Sequence, residues 1–483
     1  MLQNGKIWIA GTKDAPVLLT PQMANRHGLI AGATGTGKTI TLKVMAEGFS
    51  KLGVPAFLCD IKGDLAGMCE KGVDSDNMKK RIARFGIGDF CCQAFPTRFF
   101  DVFGESGCPV RTTVSEMGPL LLSRLLALTE TQEGVLNIIF RIADEKGLLL
   151  IDLKDLRSMV NYVGLHAEDY TLSYGNIAKQ TLGAIARKLL VIEAQGADRF
   201  FGEPAFDITD WMQTEDGKGV INLLDCTKLI DSPLLYGAFV LWLIAALFEK
   251  LPEAGDLEKP KMVLFFEEAS LLFDGASKTL VNKIEQTVKR IRSKGVGVYF
   301  STQSPSDIPD AVLAQLGNRV QHALRAYTPG EQKAVRAAAT AFRTNPAFDT
   351  EEAITGLGVG EALLSFLDEQ GRPEIVSRAG VLPPESRMGP ADDAVRAAAE
   401  SANPLYAAYG APVDRESAYE ILAARVKAQK KNGDADAETE APAAKPGKKK
   451  KATLAERALS KAVDSFGRSI GRSLARNLWG IIK

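Results

Sequence analysis

The chain has 483 residues, 46% hydrophobic and 24% charged, with a formal net charge of zero, so it can fold around one extensive core and still carry a second unit and a tail. Three histidines and six cysteines (Cys59, Cys69, Cys91, Cys92, Cys108, Cys226) without a C-x-x-C pair speak against a zinc site or a disulfide framework, and reduced thiols are expected. From Arg425 onward fifteen Lys or Arg stand against six Asp or Glu, a net of +9, which leaves about −9 on residues 1–424, a poor surface for neutralising phosphates.

The opening residues MLQNGKIWIAG lack the basic-then-apolar pattern of a signal peptide, and the longest apolar run, residues 234–248, falls short of the roughly 18 to 20 residues that span a bilayer. A cytoplasmic protein without a transmembrane segment is expected. Strand-like runs at 6–10 and 17–19 precede residues 27–31, an apolar strand that enters a glycine turn, and residues 38–52 read as a helix. Residues 54–60 and 89–95 read as further strands, and strands alternating with crossovers imply a parallel sheet.

From 112 to 195 the spacing turns helical, with Leu120, Leu121, Leu125 and Leu128, then Ile177, Leu182, Ile185, Leu189 and Ile192, marking apolar faces. Strands return at 219–224, 262–267, 296–302, 319–324, 362–366 and 373–376, with helices at 234–250 and 278–292. The expected organisation is an α/β core at 1–111 and 201–385, an α-helical insertion at 112–200 and a helical extension at 386–427. A polar, disordered linker is expected at 428–452, followed by a basic amphipathic helix at 453–483 with Phe466 and Trp479 on its apolar side. That helix could bind nucleic acid, lie on an anionic membrane or pack on the acidic body, and the last is preferred because its apolar stripe needs a partner surface.

Gly32-Ala33-Thr34-Gly35-Thr36-Gly37-Lys38-Thr39 matches the phosphate-loop pattern G-x-x-x-x-G-K-[ST], in its proper setting between strand and helix. Its glycines let successive N–H groups curl around phosphates, Lys38 reaches the β- and γ-phosphates, and the Thr39 hydroxyl ligates Mg²⁺. Gly32 through Ile40 are therefore the expected nucleotide contacts. Met262-Val263-Leu264-Phe265-Phe266-Glu267-Glu268 is an apolar strand ending in two acids, which suits Glu267 to the metal, through its water shell, and Glu268 to activation of the attacking water. Solvated acids at a strand end are the bland alternative. Gln303, after the strand 296–302, would reach the γ-phosphate if that strand neighbours the phosphate-loop strand; a simple turn cap before Pro305 is the alternative. Asp198, Asp207 and Asp210 read as turn caps rather than a second metal site.

The runs GATGTGKT, FFEEAS and RIRSKGVGVYFSTQSPSDIP, with Asp60-Ile61-Lys62-Gly63-Asp64 as a D-x-K-G element, resemble the HerA/FtsK group of P-loop motor ATPases, and most closely a bacterial HerA-like (YjgR-like) family. The resemblance implies ATP and Mg²⁺ as cofactors and a mostly parallel sheet in the additional-strand arrangement of ATPases with a catalytic glutamate. It also implies a homo-oligomer, a hexameric ring with sites between subunits, in which Arg290, Arg292 or Arg325 could act on a neighbour's nucleotide, and double-stranded DNA as the track. A remodelling or regulatory ATPase acting on protein partners is the rival reading, favoured by the acidic body. A small-molecule kinase is a second rival, opposed by the acid pair and the polar sensor.

Overall fold

The computed structural model describes residues 1–12, 15–87, 90–274 and 278–439, and the basic helix expected at 453–483 lies outside them. A thirteen-stranded sheet organises these residues. Its central part runs parallel in the order Asn318–Gln321, Gly28–Ala31, Val296–Thr302, Met262–Phe266, Ala56–Asp60, Ile221–Asp225 and Thr97–Asp101. Beyond Asn318–Gln321 the sheet continues antiparallel through Glu361–Ser365, Ser377–Val381 and Lys6–Gly11.

Alternation of side chains through the pleat assigns each strand to two cores. Phe57, Cys59, Leu264, Phe266, Val298 and Phe300 face one side, where the inserted helices and the helices Pro233–Lys250 and Lys278–Ile291 cover them. Leu58, Val263, Phe265 and Tyr299 face the other, under the helix Lys38–Lys51. With both faces covered, the central strands are buried throughout and read as continuous apolar runs.

The inserted helices, Val114–Leu125 to Ala197–Phe200, share the first core with the sheet instead of forming a core of their own. Pro233–Lys250 is 18 residues long with mean hydropathy 1.5, longer than the apolar run suggested, but ten of its residues are buried in that core. It is a central packing helix, with Phe239 against Phe57, Phe200 and Trp242.

Two strand positions and the start of the linker depart from expectation. The strand placed at 89–95 forms instead at Thr97–Asp101, because Pro96 interrupts the apolar run and its carbonyl takes the N–H of Ile221, which starts the pairing there. The strand placed at 373–376 forms at Ser377–Val381, while Glu374 N–H returns to Phe366 O and closes a turn. A helix, Ala418–Thr439, runs through the start of the stretch read as linker, where Ala, Lys, Gln and Glu favour helix despite the polar composition. Its first turn is held by Asp155, which accepts from Tyr419 N–H at 2.8 Å and Ser417 Oγ at 2.6 Å.

Candidate nucleotide site

At the carboxyl end of the sheet, Gly28–Ala31 runs into the glycine loop. Gly32 N–H donates to Thr302 O at 3.2 Å and Ala33 N–H to Ala323 O at 2.8 Å, so the loop is tied to the two strands that flank its own. Gly35 and Gly37 take φ of +78° and +118°, which an L side chain resists. A Cβ on Gly32 would stand 2.4 Å from that of His322. The helix Lys38–Lys51 follows, with no side chain capping its first turn, so its free N–H groups are available to an anion. Lys38 Nζ donates to Gly32 O at 2.6 Å and Ala33 O at 3.3 Å, and burial lowers its pKa against the opposing pull of Glu268.

Opposite the loop lie the two acids, in a cleft of about 250 Å³ lined by Thr34, Gly35, Gly37, Lys38, Thr39, Ile40, Lys62, Glu267, Glu268, Ser301 and Val359. Glu268 has φ of +44°, a left-handed backbone rare for a residue with a side chain. Gln303 Nε2 donates to Glu268 Oε2 at 3.3 Å, and Lys62 Nζ is 3.4 Å from Oε1. Glu267 is only 8% exposed, and burial, with Asp60 adding repulsion, pushes its carboxyl up to about 8. Asp60, at the end of the adjacent strand, is raised to about 6 by burial and then by Asp225, and its Oδ1 is buried without a hydrogen-bond partner among the described residues. An orphaned carboxylate oxygen beside a carboxyl that resists ionising is an arrangement a divalent cation relieves, and Thr39 lines the same cleft. The donor set thus fits a magnesium nucleotide: Lys38, Lys62 and loop N–H groups for phosphate, Thr39 and Glu267 for the metal.

Beneath the loop, His322 is fully buried, with Nε2 2.8 Å from Thr41 Oγ1 and Nδ1 3.1 Å from Glu361 O. Burial lowers its pKa to about 4, so it is neutral. Gly360 N–H donates to Thr36 O at 2.9 Å, which brings the turn 358–361 onto the phosphate loop and Val359 to the rim of the cleft.

The strand order decides the class of site. Val296–Thr302 lies between the phosphate-loop strand and Met262–Phe266, as expected of the additional-strand arrangement, and it delivers Gln303 to Glu268. A family profile described as helicase HerA-like C-terminal matches residues 6–481.

The chain belongs to the HerA-like C-terminal family.

Solved structures agree at the level of fold for this HerA-like chain. The plasmid coupling protein TrwB in complex with a non-hydrolysable ATP analogue superposes with a TM-score of 0.54 at 14% identity, covering 79% of this chain and 90% of TrwB. TrwB in complex with ADP and Mg²⁺ gives 0.53 at 14% identity, over 78% and 91% of the two chains. VirB4 of Thermoanaerobacter pseudethanolicus gives 0.50 at 14% identity, over 79% and 97%. No curated protein matches in sequence.

The arginines are scattered in this HerA-like fold. Arg292 lies at the amino end of the sheet, where its carbonyl faces Asn25 Nδ2 at 3.5 Å, and Arg290 is exposed on the preceding helix. Arg325 is exposed at the carboxyl end, two residues beyond the Ala323 carbonyl that holds the loop, with no ion pair or hydrogen bond among the described residues. Lys62, His322 and Val359 had no site role in the sequence reading. Lys62 was within reach of it, because a lysine two residues past the end of a central parallel strand opens onto the same edge as the phosphate loop.

Proposed function

We propose that this protein is a magnesium-dependent ATPase that hydrolyses ATP with Glu268 as general base and couples turnover to movement along double-stranded DNA. The observation that carries the hydrolytic half is Glu268 across the cleft from Lys38, oriented by Gln303 at 3.3 Å. Lys38 and the loop N–H groups would hold the β- and γ-phosphates, and Thr39 and Glu267 would hold Mg²⁺, which when bound would supply screening of the charge on the transferred phosphoryl. Glu268 accepts the proton of the attacking water, and Gln303 holds that carboxylate and the water in line with the γ-phosphorus. A kinase would need an acceptor in place of the water, and the paired acids favour water.

The DNA half rests on membership of the HerA-like family, and the working form on this reading is a cytoplasmic hexameric ring in which Arg325 reaches a neighbour's nucleotide. A second reading, a remodelling ATPase acting on protein, is favoured by the acidic body, with about −9 on residues 1–424. Steady-state phosphate release with MgATP, measured with and without linear double-stranded DNA, separates them. DNA stimulation that vanishes in Glu268→Gln supports the motor. Glu268-dependent turnover indifferent to DNA supports the remodelling enzyme.

A further inference from the structure

Lys62 comes from the strand Ala56–Asp60, beyond the acid strand from the phosphate loop, yet its ammonium lines the same cleft as Lys38. It is half-exposed, and the acceptor it takes is Glu268 Oε1 at 3.4 Å, a long and loose ion pair. Glu268 Oε2 is held separately by Gln303 Nε2 at 3.3 Å, so the two partners divide the carboxylate between them. Both ammonium groups, of Lys62 and of Lys38, thus line one cleft of about 250 Å³. Two cations facing one cleft repel each other until an anion stands between them.

We propose that Lys62 reads the γ-phosphate: it restrains Glu268 until a nucleoside triphosphate enters, then transfers to the terminal phosphate and releases Glu268 to the attacking water. The inference rests on the cleft being the ATP site. A terminal phosphate is a stronger acceptor than a carboxylate 3.4 Å away, because it carries more charge and can accept a shorter, charge-assisted bond. A diphosphate ends one phosphoryl group earlier, beside Lys38, and leaves the Lys62–Glu268 pair in place. Hydrolysis is thereby coupled to the length of the phosphate chain, and Glu268 is not free to activate water while only ADP is bound.

The experiment measures equilibrium binding of MgADP and of a non-hydrolysable ATP analogue with Mg²⁺ to the full chain, together with steady-state hydrolysis, for the parent, Lys62→Met, Lys62→Arg and Glu268→Gln. Because Lys62 is half-exposed, its substitution leaves the core intact, and MgADP binding reports directly on the integrity of the loop. Lys62→Met is expected to keep MgADP affinity within about twofold while the analogue loses about tenfold or more, the worth of a charge-assisted hydrogen bond. Lys62→Arg should recover part of that loss. Glu268→Gln removes the competing carboxylate, so the analogue should bind more tightly than to the parent, and Lys62→Met added to it should abolish the gain. Equal loss of MgADP and analogue in Lys62→Met, or no loss of either, would overturn the proposal. Failure of the parent to bind either nucleotide would instead overturn the assignment of the cleft as an ATP site.

Discussion

Glu268 occupies a backbone position at φ +44° that glycine or asparagine would hold at lower cost, and the roughly 1 to 2 kcal/mol of strain is maintained by the strand before it and the short helix Ser270–Phe273 after it. Both acids line the cleft, but Glu267 is nearly buried while the Glu268 carboxylate meets Gln303 and Lys62. Neighbouring acids just past one strand thus face different surroundings. Glu268→Gln keeps the shape and the Gln303 contact but cannot take a proton, so nucleotide binding should persist while hydrolysis falls by roughly 100-fold or more, the usual share of a general base. Phosphate release and nucleotide binding on the same preparation check this, and hydrolysis at the parental rate would remove Glu268 from the role. Lys38→Ala should instead weaken nucleotide binding by roughly tenfold to 100-fold and abolish turnover, which calorimetric titration with MgADP would measure.

At the scale of elements, the phosphate loop is a piece of chain braced on three sides, by Thr302 O, by Ala323 O and by the N–H of Gly360. His322 fills the space beneath it, which is why Gly32 admits no side chain. Gly32→Ala should expel the loop from this position, with loss of nucleotide binding and a fall in stability of about 1 to 3 kcal/mol measured by denaturant unfolding. His322 also makes the element sensitive to acid. Its folded pKa of about 4 lies below the unfolded value of 6.5, so between those values the unfolded chain binds a proton that the folded chain refuses. The His322 contribution to stability therefore falls as pH drops from 6.5 toward 4, while the buried carboxyls Glu47, Asp60 and Glu267, raised to about 7, 6 and 8, act in the opposite sense. His322→Gln lacks that loss, so its stability should fall less, or rise more, than the parent's between pH 6.5 and 4; an identical pH dependence would mean that His322 takes up its proton in the fold as readily as in the unfolded chain.

The elements also mark what could be read from residues alone. The phosphate loop, the acid strand and Gln303 were legible because each couples a local residue pattern to a buried strand. The strand Ser377–Val381 was not, because its sequence SRAGV is small for a reason outside itself: Gly380 pairs with Gly11, and the ring of Phe85 lies over both. The spacing of small residues there records a ring contributed by a distant helix. Lys62 was visible as part of a motif but not as a site residue, since its meeting with Glu268 depends on strands 206 residues apart being laid side by side. Strand order is a property of the whole sheet and has no local signature.

At the scale of the whole molecule, the C-terminal part of the core straps the rest. Arg387 binds both oxygens of Glu70 at 2.8 and 2.9 Å, Arg396 Nη2 donates to Asp225 Oδ2 at 2.9 Å, and Glu385 and Ser386 give their N–H groups to the buried Glu47 on the helix after the phosphate loop. The segment that follows the last strand thereby ties the helix after the phosphate loop to Glu70, downstream of the strand Ala56–Asp60, and to the end of the strand Ile221–Asp225. Arg325 stands apart from these pairings at the open edge of the site, which suits a group meant for another subunit. If the assembly is a ring, mixing Arg325→Ala chains that retain Lys38 with Lys38→Ala chains that retain Arg325 should restore part of the turnover that neither shows alone, because an intact phosphate loop then meets a neighbour's Arg325. Mixtures no more active than their components would assign Arg325 to its own subunit, and full turnover by Arg325→Ala alone would give it no role in hydrolysis.

The strand between the phosphate loop and the acid strand has a metrical consequence. Strands in a sheet lie about 4.8 Å apart, so the two intervals from Gly28–Ala31 to Met262–Phe266 place the cradle and the base about 10 Å apart at their roots. With a triphosphate in the cleft as proposed, that span would admit a phosphoryl group and one water in file and would keep the glutamate from attacking phosphorus directly. On the proposed reading, the backbone ladder of the sheet is the ruler that would select hydrolysis over the formation of a phosphorylated enzyme, and no substitution of a single side chain can reset its graduation.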